Sequence, residues 1–251
     1  MSKSRSPRMT RREALELLGV AAAAAALPTA AFAQTPAFPK GAVIRTLLKD
    51  YAPEELAGGA TLFHEHMSLA PDFNARFGAA TAAVRAANGL PAGAGAGRTA
   101  GAAPGAGGTG RAAGPPPAPP GPNPMQDVDL MAEEIAAAKR EGVACIVDAG
   151  HPDMGRDLNF VRQASMKSGV PIVASAGFYS QPFYPKEISR MSEEQIVQAL
   201  MKQVGDDPIG AFGEIGSWDE ITPDERKVFR AIGKAHVATN IPIFTHTGIP
   251  G

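Results

Sequence analysis

The chain has 251 residues, 44% hydrophobic and 20% charged, with a formal net charge of −1. That composition fits one large globular domain or two small ones. Residues 1–33 hold five Lys/Arg and two Glu, which leaves 19 basic and 23 acidic residues downstream, a net of about −4. This balance argues against bulk electrostatic binding to nucleic acid.

The N-terminus reads as a targeting segment. A basic stretch ends in Arg11-Arg12, and an apolar run from Ala14 to Leu27 follows, broken by Glu16. Ala31-Phe32-Ala33 fits a small-x-small cleavage site before Gln34. "TRREALELL" resembles a twin-arginine signal, with Ala14 where a bulky apolar residue is common. The run is too short to span a bilayer comfortably, so residues 1–33 are expected to be cleaved and to leave no stable membrane anchor. The expected location is the periplasm or outside the cell, reached through the Tat translocase.

Residues 34–60 form a leading segment that ends in "AGGA". "TLFHEHM" then reads as a first strand, 61–67. Residues 89–124 hold 11 Gly, 9 Pro and 10 Ala in 36 positions. They carry too little side chain to offset their ordering entropy, and are expected to be a disordered insertion. It would emerge beyond the C-terminal end of the first strand, as a passive surface loop. "MQDVDLMAEEIAAAKREG" places Val128, Met131, Ile135 and Ala138 at helical steps, with Gly142 as the stop. Strands follow over 144–150, 171–178, 210–216 and 242–248, and helices alternate with them. Ser192 caps one helix and Thr222-Pro223 opens another. Cys145, the single cysteine, lies in the apolar run "ACIVDAG" and reads as a small core residue, so no intrachain disulfide forms. This alternation predicts an α/β fold with a parallel sheet. Both an open doubly wound sheet and a (β/α)8 barrel accommodate it, and no glycine-rich phosphate loop follows any strand.

The chain has five histidines, and two of them, His64 and His66, stand one residue apart. On a strand they share one face, with Glu65 on the other. Two adjacent buried imidazoles need partners, and a divalent metal supplies a shared one. Glu214 lies in the apolar strand "GAFGEIG", where a carboxylate is costly unless paired or metal-bound. His246 takes a similar place in "PIFTHTG". Three parallel strands thus each carry ligand types near the end where such folds build their sites.

"GATLFHEHMSL", "GVACIVDAGHPDMGRDLNFV", "AFGEIGS" and "NIPIFTHTG", in that order, resemble the phosphotriesterase-like branch of the amidohydrolase superfamily over roughly residues 41–251. The resemblance implies a (β/α)8 TIM-type barrel holding two divalent ions, usually zinc, bridged by a hydroxide. It implies that His64 and His66 bind the first ion, that Glu214 bridges both, and that His246 binds the second. Many members bridge the ions with a carbamylated lysine; Glu214 resembles the glutamate-bridged subgroup. Two cations lower the pKa of the bridging water, which would attack a phosphotriester, lactone or related ester. The family pattern continues with a histidine from a sixth strand and a general-base aspartate from an eighth. Gly251 ends the sequence after about five βα units, so a C-terminally truncated barrel is expected, of uncertain activity.

Other residues carry less signal. His151, after the second strand, reads either as facing the site mouth or, more commonly for such residues, as a loop histidine without a role. Asp148 reads as a strand-end polar residue with a site role as the alternative, and His236 as solvent-facing. Phe178, Tyr179, Phe183, Tyr184 and Trp218 cluster after the third and fourth strands, as a substrate wall or as loop packing. The expected partners are a small-molecule substrate and the Tat translocase, with a homodimer possible. The rival readings are a TatD-type metal-dependent deoxyribonuclease and an inactive metal-binding remnant. A TatD-type enzyme also uses a His-x-His strand and a "GEIG" strand, but "THTG" fits it less well. A glutamate needs no carbon dioxide to become anionic. Metal-free protein is therefore expected to reload without added bicarbonate; a strong bicarbonate requirement in reconstitution would sink the glutamate-bridge assignment.

Overall fold

The structure, a computed structural model, describes residues 37–87, 89, 123–218 and 220–249. The proposed signal, 1–33, and nearly all of the 89–124 insertion lie outside them. Of the Met1–Pro39 unit only 37–39 are described, without helix or strand. The remainder belongs to the Lys40–Gly251 unit.

Two short antiparallel strands, β1 (Ile44–Arg45) and β2 (Asp50–Tyr51), are followed by α1 (Pro53–Leu56). Then come β3 (Ala60–Glu65), α2 (Phe73–Ala87), α3 (Val128–Arg140), β4 (Val143–Asp148), α4 (Leu158–Ser168), β5 (Ile172–Ala176), α5 (Glu193–Asp206), β6 (Ile209–Trp218), α6 (Pro223–Thr239) and β7 (Ile243–Ile249). Each long helix from α3 onward opens on a side chain that accepts from its first free amides. Asp127 and Asp157 cap α3 and α4, while Ser192 and Thr222 form capping boxes with Gln195 and Glu225. Gly142 follows the end of α3 at φ +98°, as its stop signal requires.

The five predicted parallel strands are present in the order β3-β4-β5-β6-β7. Each strand lies beside its sequence neighbour, without the reversal of a doubly wound sheet. The sheet also curls. Phe63 of β3 and Phe244 of β7 sit on opposite edges of the ladder, yet their ring centroids are 5.3 Å apart. The architecture is a half-barrel, part of a TIM-type fold. Strand β5 is buried throughout, the mark of a parallel strand covered on both faces. Ile146, Ile172, Ala174 and Phe212 meet the helices through Ile135, Val161, Ile196 and Ile232. Cys145, Val147, Val173 and Ala211 form the inner face, as the core reading of Cys145 expects.

Several boundaries need correction. Strands β1 and β2 and helices α1 and α2 were not anticipated from the sequence. The first long strand ends at Glu65, so His66 lies just beyond it, after a register shift between Leu62 and Glu65. Trp218 is the last residue of β6 rather than a loop residue. His236 is half-buried, not solvent-facing: its Nδ1 lies 2.8 Å from the Ile241 carbonyl oxygen, past the end of α6.

The β1–β2 hairpin and α1 fill the arc where its strands begin. The Leu47 amide donates to the Ile172 oxygen at 2.9 Å, and Ile44, Tyr51 and Leu56 pack on the inner face. A Cβ at position 210 would lie 2.3 Å from the Arg45 carbonyl oxygen and 2.7 Å from Val173 Cγ1. Gly210→Ala is therefore expected to destabilise by about 1–3 kcal/mol, read as a lower urea midpoint. Gly205→Ala in α5, with open space around its Cβ, should be neutral or stabilising. Equal midpoints for both variants would mean that the hairpin does not seat against β6.

Candidate metal centre

The curl brings strand-borne side chains from both edges of the sheet onto one carboxylate. Glu214, on β6, has a side chain only 1% exposed. Its Oε2 lies 3.0 Å from His64 Nε2 and 2.5 Å from His246 Nδ1, and its Oε1 lies 3.0 Å from His66 Nε2. The His64 ring packs edge-on to His66 and His246, with centroids 5.8 and 5.7 Å away. All four sequence-predicted residues thus meet at one point. Gly213 allows β7 to come this close, because a Cβ there would stand 2.6 Å from the Phe244 carbonyl oxygen.

Burial by itself would raise the Glu214 carboxyl. The hydrogen bonds and charges of His246 and His66 outweigh it and hold the group at about 2. The same hydrogen bond raises the His246 imidazole above its ordinary value, against the opposing effect of its burial. Burial pushes the Tyr179 phenol upward, reinforced by the Glu214 and Asp153 charges, so it stays protonated beside His246, with ring centroids 6.0 Å apart.

The donor set suits a divalent cation. One ligand atom each from His64, His66 and Glu214 lie within 4.8 Å of one another, and imidazole nitrogen with carboxylate oxygen is a zinc-type combination. His66 Nδ1 is buried without a hydrogen-bond partner, so its ring is not used up by the surrounding protein. His246 joins through Glu214 and brings a third imidazole to the two oxygens.

Residues that the sequence undervalued support this centre. Asp148 is fully buried, and its Oδ1 accepts from the Met67 amide, next to His66, at 2.9 Å. Burial pushes its carboxyl above the usual range, opposed by that amide and by Arg156. His151 is fully buried, not a free loop histidine, with Nε2 2.6 Å from the Gly213 oxygen. The aromatic residues divide into two groups. Tyr179, Phe183 and Trp218 join Phe73 and Phe77 of α2 in a wall beside the site, whereas Phe178 and Tyr184 pack on the main core. The spacing Phe73, Phe77, Ala80, Val84 is a helical stripe that could have revealed α2. A cleft of about 520 Å³ lies elsewhere, lined by Arg156, Arg162, Gln203, Asp206 and Asp207 among others. It contains none of the four clustered residues and mixes both charges.

A model of the phosphotriesterase family matches residues 52–250. The N-acetyltaurine hydrolase of Tetraodon nigroviridis is 32% identical over 130 residues, 49% of this chain and 37% of that protein. The phosphotriesterase homology protein of Escherichia coli strain K12 is 31% identical over 125 residues, 47% of this chain and 43% of that protein. Among solved structures, a lactonase from Listeria monocytogenes superposes with a TM-score of 0.55 at 23% identity, over 82% of this chain and 57% of the other. The aligned region spans less than half the length of these two relatives.

In the metal-free protein the carboxylate and its imidazoles stabilise one another. The Glu214 pKa is lowered on folding, so its contribution is present above the ordinary glutamate value of 4.5 and is lost as pH falls towards 2. The His246 pKa is raised, so its contribution is present below 6.5 and is lost as pH climbs past the raised value. Thermal unfolding of the metal-free chain should therefore show greatest support from this pair between about pH 4.5 and 6.5. Glu214→Gln should flatten that dependence, at a cost of at most on the order of 3 kcal/mol. Parallel pH profiles for the two proteins would show that the charge is not held this way.

Proposed function

The chain belongs to the phosphotriesterase family, and from that premise we propose that it is a metal-dependent hydrolase of small esters. In this reading His64 and His66 hold one divalent ion, Glu214 bridges to a second, and His246 holds that second ion; zinc is the first candidate. The observation that carries it is a carboxylate 1% exposed with three imidazole nitrogens within 3.0 Å, contributed by three strands. A purely structural role for Glu214 would have to justify burying one anion to hold together three rings that each have simpler apolar substitutes.

When bound, the ions supply an activated water nucleophile and polarise the substrate oxygen. The protein supplies the rest. Glu214 is ionised at neutral pH without modification, since its neighbours hold it at about 2. The four side chains already stand together without a metal, so little is reorganised on binding. The wall of Phe73, Phe77, Tyr179, Phe183 and Trp218 offers an apolar surface for the substrate's leaving group or acyl portion. The expected substrates are phosphotriesters, lactones and related esters. Export by the twin-arginine route to the periplasm or beyond belongs to the same reading.

A second reading has a specific observation behind it. The relative at 32% identity is an N-acetyltaurine hydrolase, named for cleaving an amide. Activated water attacks a carboxamide carbonyl as it attacks an ester carbonyl, so the bond type has to be measured.

Purified chain should hold close to two equivalents of zinc per molecule by elemental analysis. It should turn over at least one of paraoxon, an aliphatic lactone, an aryl ester and N-acetyltaurine. Removing metal with a chelator should abolish that turnover and zinc should restore it, while His64→Ala or Glu214→Ala should reduce it by at least about 100-fold. A protein that holds little metal and turns over none of these substrates is the inactive remnant, and faster cleavage of DNA than of any ester would favour the deoxyribonuclease instead.

A further inference from the structure

The segment Asp148–Asp153, "DAGHPD", follows β4 and reaches three other strands at once. The Ala149 amide donates to the Glu65 oxygen at 2.7 Å, and the Ala149 oxygen accepts from the Glu214 amide at 3.4 Å. The Asp148 carboxylate takes the Met67 amide beyond β3, and the Asp153 carboxylate takes the Tyr179 amide beyond β5 at 2.8 Å. His151 completes the set on β6. A carbonyl oxygen can only accept, so the 2.6 Å contact puts the hydrogen on His151 Nε2, donating to Gly213. The other ring nitrogen, Nδ1, faces Asp153 Oδ1 at 3.6 Å, and both side chains are 1% exposed or less.

We propose that His151 is a positioning residue for Glu214, holding the peptide that precedes it so that the carboxylate meets all three imidazoles. This rests on the metal-centre reading above. Strand β3, which carries His64, and strand β6, which carries Glu214, are not neighbours; β4 and β5 lie between them. The ladder across that gap contains register shifts in both the β3–β4 and β5–β6 pairs, so it does not fix the ligand spacing by itself. A direct tie from the end of β4 to the residue before Glu214 removes that freedom. Gly213 has a φ of +146°, a conformation open to glycine, so the Glu214 backbone has no side chain beside it to restrain it. The hydrogen bond from His151 supplies the restraint. Nδ1 and Asp153 Oδ1 make no hydrogen bond at their 3.6 Å separation, so the bond to the Gly213 oxygen is what fixes the ring. Gly177 packs against the same ring, and a Cβ there would stand 3.1 Å from Nε2.

The test compares His151→Gln, whose amide nitrogen reaches the Nε2 position, with His151→Asn, which is too short. Both are made in the full chain with Val161→Ala, a fully buried core substitution on α4, as a control for lost stability. Zinc affinity is read by competition with a chromophoric chelator, ligand geometry by the visible absorption of the cobalt-substituted protein, and stability by thermal melting. His151→Asn should weaken zinc binding 10- to 100-fold and alter the cobalt spectrum. His151→Gln should stay within about threefold of the unmodified chain, and Val161→Ala should lose stability while keeping its zinc affinity. The proposal is overturned if Asn and Gln behave alike, whether both retain metal or both lose it, or if Val161→Ala weakens zinc as much as His151→Asn does. An unmodified chain that binds no zinc would instead fail the metal-centre reading itself.

Discussion

The rest of the structure depends on one buried charge. Glu214 carries a carboxylate into an interior strand where water does not reach it, and an ion in that position is tolerated only if its surroundings replace the lost hydration. Three imidazoles do so here. They come from the two edges of a five-stranded sheet, and a flat sheet could not deliver them, because β3 and β7 would be four strand spacings apart. The contact between Phe63 and Phe244 and the packing of His64 against His246 show that the curl closes this distance. The same geometry makes the site adaptable to metal, since what solvates an anion with ring nitrogens also presents those nitrogens to a cation.

A curled sheet has an inner face that must be filled. Small and medium residues, Cys145, Val147, Val173 and Ala211, line it, and the β1–β2 hairpin with α1 closes it where the strands begin. The stability of the arc and the placement of the ligands are therefore built at opposite ends of the same strands. Glycine serves both ends: Gly210 admits the hairpin backbone and Gly213 admits β7. At the site end the Asp148–Asp153 segment adds buried polar ties that reach β3, β5 and β6 together. Polar groups at that depth are costly unless satisfied, so their presence there accords with a need for fixed geometry.

Much of this was legible in the residues. Alternating apolar strands and capped amphipathic helices gave the α/β class, because burial on both faces leaves a mark in sequence. Asp127, Asp157, Ser192 and Thr222 act locally, and each caps the helix that follows it. The cluster was visible for a similar reason: His64, His66, Glu214 and His246 are polar groups in or at the end of apolar strand segments, which is anomalous without a partner. The hairpin was not visible, since two-residue strands carry no period, and α2 was obscured by alanine, which gives a helix little contrast between its faces.

His151 and Asp153 show the boundary between the two kinds of information. In sequence they stand in a polar turn after a strand, where most histidines have no role. Their partners, the Gly213 carbonyl and the Tyr179 amide, are backbone groups 62 and 26 residues away, and a backbone group leaves no trace in side-chain identity. The five parallel strands, the helices from α3 onward and the side chains able to bind a cation were therefore readable from the residues alone, because those properties depend on local propensity and on the cost of burying polarity. The curl of the sheet, the convergence of three imidazoles on the Glu214 carboxylate, and the buried contacts of Asp148, His151 and Asp153 emerge only in the tertiary structure. Those are relations between distant segments, set by packing across the arc.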